Sequence, residues 1–228
     1  MPGGQVAPPA LVVVWRRATV LARMELALAP LTFVTPRDWA LRQCAHVDEL
    51  LVEQAHLEKK AAAAAVQFLF RVPIAAAALR GVSALAREEL VHFERTLRLL
   101  ERRGVPFAPQ PPSAYADRLK AAASSTMPAR LADELLLAAI IEARSHERML
   151  LLAAALQSAA PEVADFYADL CEAEARHAPL YAEVAAQVMP PGWCAVRHRE
   201  LIAHEAAVLH QLPWSPRLHS GVGSDATG

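Results

Sequence analysis

Two Glu-x-x-His pairs constrain this chain more than any other feature: Glu89-Leu90-Val91-His92 and Glu174-Ala175-Arg176-His177. Residues three apart share a face of a helix, so each pair presents a carboxylate and an imidazole together. That donor set suits iron or another first-row transition metal better than it suits packing. A single pair arises often by chance in a charged helix. Here, however, a lone glutamate on an apolar stripe precedes each pair by one helical hairpin. Glu89 follows Glu58 by 31 residues, and Glu174 follows Glu142 by 32. Two hairpins of nearly equal length then carry six ligand candidates: Glu58, Glu89, His92, Glu142, Glu174 and His177. An approximate twofold axis between the halves sets two metal ions side by side. Four carboxylates and two ferrous ions cancel in charge, whereas four unpaired buried carboxylates would be prohibitively costly.

Composition agrees with helices. The 228 residues are 54% hydrophobic with only 8 Gly, and Ala, Leu, Arg and Glu dominate the middle of the chain, so an all-α class is expected. Thr35-Pro36-Arg37-Asp38 opens a first short helix, with Thr as N-cap and Pro in the first position. A main helix then runs to about Arg71 and is stopped by Pro73, with Leu51, Gln54, Ala55, Glu58, Ala61, Ala62, Ala65 and Leu69 on its buried stripe. A second spans roughly Leu79 to Arg103 and ends at Gly104, its stripe reading Val82, Leu85, Ala86, Glu89, His92, Phe93 and Thr96. Glu88 falls off that stripe. Four prolines between Pro106 and Pro112 forbid helix, so a crossover follows, with one short helix around Tyr115 to Ala123. The third helix (about Ala129 to Leu156) turns Leu135, Ala138, Ala139, Glu142, Ser145, His146 and Met149 inward, and Glu147 away. The fourth starts at Pro161 and aligns Tyr167, Leu170, Cys171, Glu174, His177, Ala178 and Tyr181; Pro179 should bend it. A fifth, shorter helix covers about Cys194 to Leu209.

The expected architecture is therefore a ferritin-like four-helix bundle, with a long crossover between helices 2 and 3 and an extra C-terminal helix. Residues 1–30 read as a disordered extension, 31–212 as the di-metal domain and 213–228 as an irregular tail. Met24 is a candidate true start. The formal net charge of −1 announces no basic field for nucleic acid. Three cysteines, Cys44, Cys171 and Cys194, lie in no Cys-x-x-Cys spacing, which leaves a reduced cytoplasm as the default. No apolar run reaches the roughly 18 to 20 residues that a bilayer requires, so no membrane association is expected.

Several segments resemble the bacterial tRNA 2-methylthio-isopentenyladenosine hydroxylases (MiaE-like). They are Glu58-Lys59-Lys60-Ala61-Ala62, Leu85 to His92, Ile141-Glu142-Ala143-Arg144-Ser145 with Glu147-Arg148, Glu174 to His177, Arg102 to Pro106, and Arg217-Leu218-His219-Ser220-Gly221. The similarity runs from about Leu31 to Gly221. Glu-Ala-Arg-His alone is shared with other di-iron proteins, whereas its combination with Glu-Ala-Arg-Ser and the His-Ser-Gly tail is far more specific. His146 stands where that family usually has Cys, Ala178-Pro179 replaces a more regular helical continuation, and His56-Leu57 replaces a more polar pair.

The resemblance implies a monooxygenase with two iron ions and dioxygen as co-substrate. Its substrate would be the isopentenyl group on the modified adenosine beside the tRNA anticodon. Reducing equivalents would come from an external electron-transfer protein or reductase, since no flavin, nicotinamide or iron–sulfur motif is present. Lys59, Lys60, Arg87, Arg144, Arg148 and Arg176 are candidates for phosphate contacts in the anticodon loop, with Arg144 and Arg176 alternatively supporting the cluster carboxylates. The rival readings are a non-enzymatic ferritin-like iron-binding or storage protein and a di-iron hydroxylase of another substrate. The oligomeric state is left open.

Overall fold

A computed structural model describes residues 28–72 and 74–223. Residues 1–27, with the apolar stretch around Val12 and Met24, lie outside the described residues, as do Pro73 and residues 224–228. The described residues form seven α-helices in order: α1 (Arg37–Gln43), α2 (Val47–Arg71), α3 (Ala76–Arg102), α4 (Ala114–Lys120), α5 (Ala129–Leu156), α6 (Pro161–Val188) and α7 (Pro191–Gln211). No strand occurs among the described residues. Helices α2 with α3 and α5 with α6 form the two hairpins, joined by the crossover that contains α4, while α7 packs chiefly on α5 and α4. This is the expected all-α, ferritin-like bundle.

The local chemistry explains the boundaries. Gly104, at φ 68°, adopts the left-handed conformation that only Gly takes without strain. Its N–H donates to Glu101 O while that of Val105 donates to Leu100 O, which closes α3 in a Schellman motif. Pro161 opens α6, and the helix continues unbroken through Pro179 on its exposed face. The crossover helix α4 is capped by Ser113, whose Oγ accepts from Tyr115 N–H. It is shorter than expected because Asp133 captures Ser124 through both its N–H and its hydroxyl, turning the chain at that point.

One sequence expectation about a helix start is corrected. Thr35 does not cap α1: Pro36 holds the N-cap position and no side chain caps the helix. The Thr35 hydroxyl instead donates to Glu147 and accepts from Arg144 and Arg148. Residues 213–223 form no helix and follow an irregular path that is nonetheless packed. Leu218, His219, Ser220 and Gly221 are buried, and the segment is a strap across α2 and α5. Arg148 donates to the carbonyls of Leu218 and Ser220, Glu53 accepts from Leu218 N–H, and Trp39 donates to Ser220 Oγ. At the other end, Leu28, Ala29, Leu31 and Phe33 pack against the core.

Of the inner-stripe residues, Ala61, Leu69, Phe93, Ala138 and His146 are half-buried, and the rest are buried. The apolar interior divides into two clusters. One centres on Phe68, Leu85, Leu135, Leu136 and Tyr181, the other on Leu51, Leu99, Met149, Leu152 and Tyr167. Along each bundle helix the ligand-candidate glutamate sits between the two. A polar layer thus interrupts an otherwise continuous apolar core.

Candidate metal centre

All six residues singled out in the sequence meet in that layer, Glu58 from α2, Glu89 and His92 from one turn of α3, Glu142 from α5, and Glu174 and His177 from one turn of α6. Two overlapping groups result: Glu58, Glu89, His92 and Glu174, and Glu89, Glu142, Glu174 and His177. Within each group the donor atoms lie within 4.8 Å of one another. Glu89 and Glu174 belong to both groups. Each Glu-x-x-His pair contributes one carboxylate common to both groups and one imidazole. His92 Nδ1 stands 3.7 Å from oxygens of Glu58, Glu89 and Glu174. His177 Nδ1 stands 2.9 Å from Glu89, 3.5 Å from Glu174 and 4.0 Å from Glu142.

These atoms point at a common centre rather than at each other. Both oxygens of Glu89, Oε2 of Glu174 and Nδ1 of both histidines are buried without a hydrogen-bond partner. Even the 2.9 Å approach of His177 to Glu89 is misaligned for a hydrogen bond. Buried polar groups are almost always paired, so five convergent orphans fit a cation in their midst.

The electrostatics lead to the same conclusion. Burial, reinforced by the neighbouring carboxylates, pushes Glu58 and Glu142 well above the usual carboxylate range. Burial alone would lower both imidazoles. Contacts with Glu58 and Glu89 instead raise His92 to about 9, and those with Glu174 and Glu89 raise His177 to about 11. Such a site draws in positive charge, as protons or as metal.

Outside the donors, Gln54 donates to Glu58 Oε1 at 2.6 Å. Glu88, set aside in the sequence because it leaves the buried stripe, accepts from His177 Nε2 at 3.1 Å and from Arg176 at 3.2 Å. The seam between α3 and α6 brings it there. Its adjacency to Glu89 was the available signal. Tyr181 and Tyr167 are buried core residues, as is Cys171. His146 is half-buried and its side chain makes no hydrogen bond among the described residues.

Of the six cations proposed to meet phosphate, Arg144 and Arg148 are fully buried. Arg144 forms an ion pair with Glu205 and another with Glu147, not with a cluster carboxylate. Arg148 lies over the Trp39 ring and holds the strap. Both sit on the faces of α5 turned to α7 and the strap, which single-helix periodicity does not reveal.

A cavity of about 780 Å³ reaches the centre, with Glu58, Glu89, Glu142 and Glu174 at its inner end. Its walls are mainly apolar, including Phe68, Leu137, Ile141 and Leu218, and its mouth carries Lys60, Arg71, Lys120 and Arg130. His219 joins the wall, stacked on Tyr115 at 4.7 Å and bonded to Ser145. Burial, with Arg148 and Arg144 nearby, pushes it down to about 3, so it faces the cavity neutral.

Residues 23–220 match the model of a family described as tRNA-(MS[2]IO[6]A)-hydroxylase (MiaE). The chain belongs to the MiaE family. A MiaE relative from Pseudomonas putida, named tRNA 2-(methylsulfanyl)-N(6)-isopentenyladenosine(37) hydroxylase, is 35% identical over 189 residues, or 82% of this chain and 90% of that protein. A relative of the same name from Salmonella typhimurium is 34% identical over 138 residues, covering 60% of this chain and 50% of that one. A solved Synechococcus protein with aldehyde deformylating oxygenase activity superposes with a TM-score of 0.79 at 38% identity. The match covers 88% of this chain and 100% of that one. Among the described residues of this MiaE member, no helix is long and apolar enough to cross a membrane.

Proposed function

We propose that this chain hydroxylates the isopentenyl group of 2-methylthio-isopentenyladenosine in tRNA, using two iron ions and dioxygen. Glu58 and His92 would hold one ion and Glu142 and His177 the other, with Glu89 and Glu174, common to both donor groups, available to each. The observation that carries this reading is the apolar cavity ending on the carboxylate cluster in a member of a tRNA hydroxylase family. A prenyl chain is apolar, and a nucleotide of a single-stranded loop can be splayed out into such a pocket.

When bound, the irons supply reductive activation of dioxygen: one oxygen atom enters a C–H bond, and the other leaves as water with two electrons and two protons. The chain's own residues do the rest. Phe68, Leu137 and Ile141 hold the prenyl group and exclude water from the centre. Gln54 fixes Glu58, and His219, kept neutral, adds a polar contact to the wall without adding a charge. Lys60 and Lys120, which form no salt bridge among the described residues, stand at the mouth where the phosphates flanking the substrate would pass. A separate electron-transfer protein delivers the electrons, and the site of action is the cytoplasm.

The test is to incubate reduced, iron-loaded protein with oxygen and tRNA from a strain lacking this activity. Nucleoside mass spectrometry is expected to show one added oxygen on the methylthio-isopentenyl adenosine. No mass change with a fully loaded centre would remove the substrate. Glu142→Ala is expected to abolish the change.

A further inference from the structure

The two halves of the centre are not equivalent, and the difference lies in what stands behind the histidines. His177 passes its outer nitrogen to Glu88 Oε2 at 3.1 Å, and Arg176 holds the same oxygen at 3.2 Å. His92 makes no such contact among the described residues: its salt-bridge distances all run from Nδ1, the atom facing the centre. The sequence explains the asymmetry. Glu88 precedes Glu89 in the first pair, whereas the matching position before Glu174 is Ala173. Other carboxylates of the α3–α6 seam, Asp169 and Glu162, pair with Arg95 and Arg102; among the described residues Glu88 alone stands behind one of the two imidazoles, and it serves that of α6.

A carboxylate behind a ligating imidazole fixes its tautomer and ring orientation and makes it a stronger donor. We propose that Glu88 is a positioning residue that makes the two metal positions unequal. The ion beside His177 and Glu142 is held tightly, and the ion beside His92 and Glu58 is the first to leave. This rests on the six-residue metal reading above, but it concerns only the order and strength of binding.

Anaerobic titration of metal-free protein with Co²⁺, followed by its visible absorption, separates the possibilities. The unaltered chain is expected to fill in two steps. Glu88→Ala should weaken the tighter step about 10- to 100-fold, the range seen for such partners. Glu88→Gln, which keeps an acceptor for the imidazole N–H, should recover part of that affinity. In a His177→Ala background the tight step should be absent, and Glu88→Ala should then change nothing further. In a His92→Ala background the tight step should persist and remain sensitive to Glu88→Ala.

Two equal steps in the unaltered chain would overturn the proposal. So would an effect of Glu88→Ala that survives removal of His177, because it would mark a general change of charge or fold. Failure of the unaltered chain to bind two Co²⁺ ions would instead strike the metal reading itself, a distinct result.

Discussion

At the scale of single residues, the interior of this protein holds more charge than its metal candidates require. Glu53 is fully buried one turn and a half before Glu58, and its carboxylate accepts from Leu218 N–H in the strap. Burial pushes it up to about 7, against the lowering pull of that hydrogen bond and of Arg217. Its folded value lies above its unfolded value near 4.5, so between these the native state binds more protons than the unfolded chain. Stability must therefore fall as pH rises from about 4.5 to 7, by roughly 3 kcal/mol at most from this group. His198 and His219, held down to about 4 and 3 by burial, oppose it by losing stability as pH falls below their usual range. Comparison with Glu53→Gln isolates the carboxylate. Urea unfolding should show the variant matching the parent near pH 4.5 and exceeding it at about pH 8. Arg144 and Glu205, both fully buried and paired, make a second case. Arg144→Met would leave Glu205 as an uncompensated buried charge, an expected destabilisation of about 3–5 kcal/mol by the same measurement.

At the scale of elements, the strap after α7 connects the fold to the cavity. Gly221 donates its N–H to Pro213 O, and a Cβ added to it would sit 1.7 Å from the Leu212 carbonyl oxygen. No side chain fits against backbone at that distance. Gly221→Ala should therefore displace the strap while leaving the four bundle helices paired. Hydrogen exchange should show weakened protection at Leu218 N–H and Gly221 N–H, with α2, α3, α5 and α6 largely unchanged. Because Leu218 and His219 line the cavity, hydroxylation should fall more steeply than metal binding.

At the scale of the molecule, a net charge of −1 conceals a cationic mouth on an otherwise balanced surface. Arg71 and Arg130 share Glu134, which leaves Lys60 and Lys120 as the mouth cations that form no salt bridge among the described residues. Removing a cation that meets one phosphate should reduce the slope of log affinity against log salt by about 0.7 for single strands. Lys60→Ala with Lys120→Ala is thus expected to lower the slope for tRNA by about 1.4, with hydroxylation of the isolated nucleoside unchanged. The candidate metal layer also sits between two core clusters, so its occupancy is expected to report on the whole fold. Ferrous iron at about 100 times Kd under anaerobic conditions should add about 2.7 kcal/mol per site, read as a rise in Tm that a chelator reverses.

Helical periodicity made most of this legible without coordinates. Donors on an α-helix recur on one face, so Glu58, Glu89, His92, Glu142, Glu174 and His177 were recognisable from spacing alone, and the equal hairpins implied their meeting. The Gly104 and Pro161 boundaries followed from backbone chemistry in the same way. What periodicity within one helix does not encode is which other element covers its remaining faces. Arg144 and Arg148 look like solvent-facing cations until α7 and the strap close over them. Glu88 looks peripheral until the α3–α6 seam brings His177 against it, and the strap looks irregular until Arg148 and Glu53 bind its backbone. The sequence by itself determined the helices and the inward donors, because both depend on residues within a few turns of one another. Only the tertiary structure decided which charges are buried, which ligand has a partner behind it and where the cavity opens, because those depend on contacts between residues far apart in the chain.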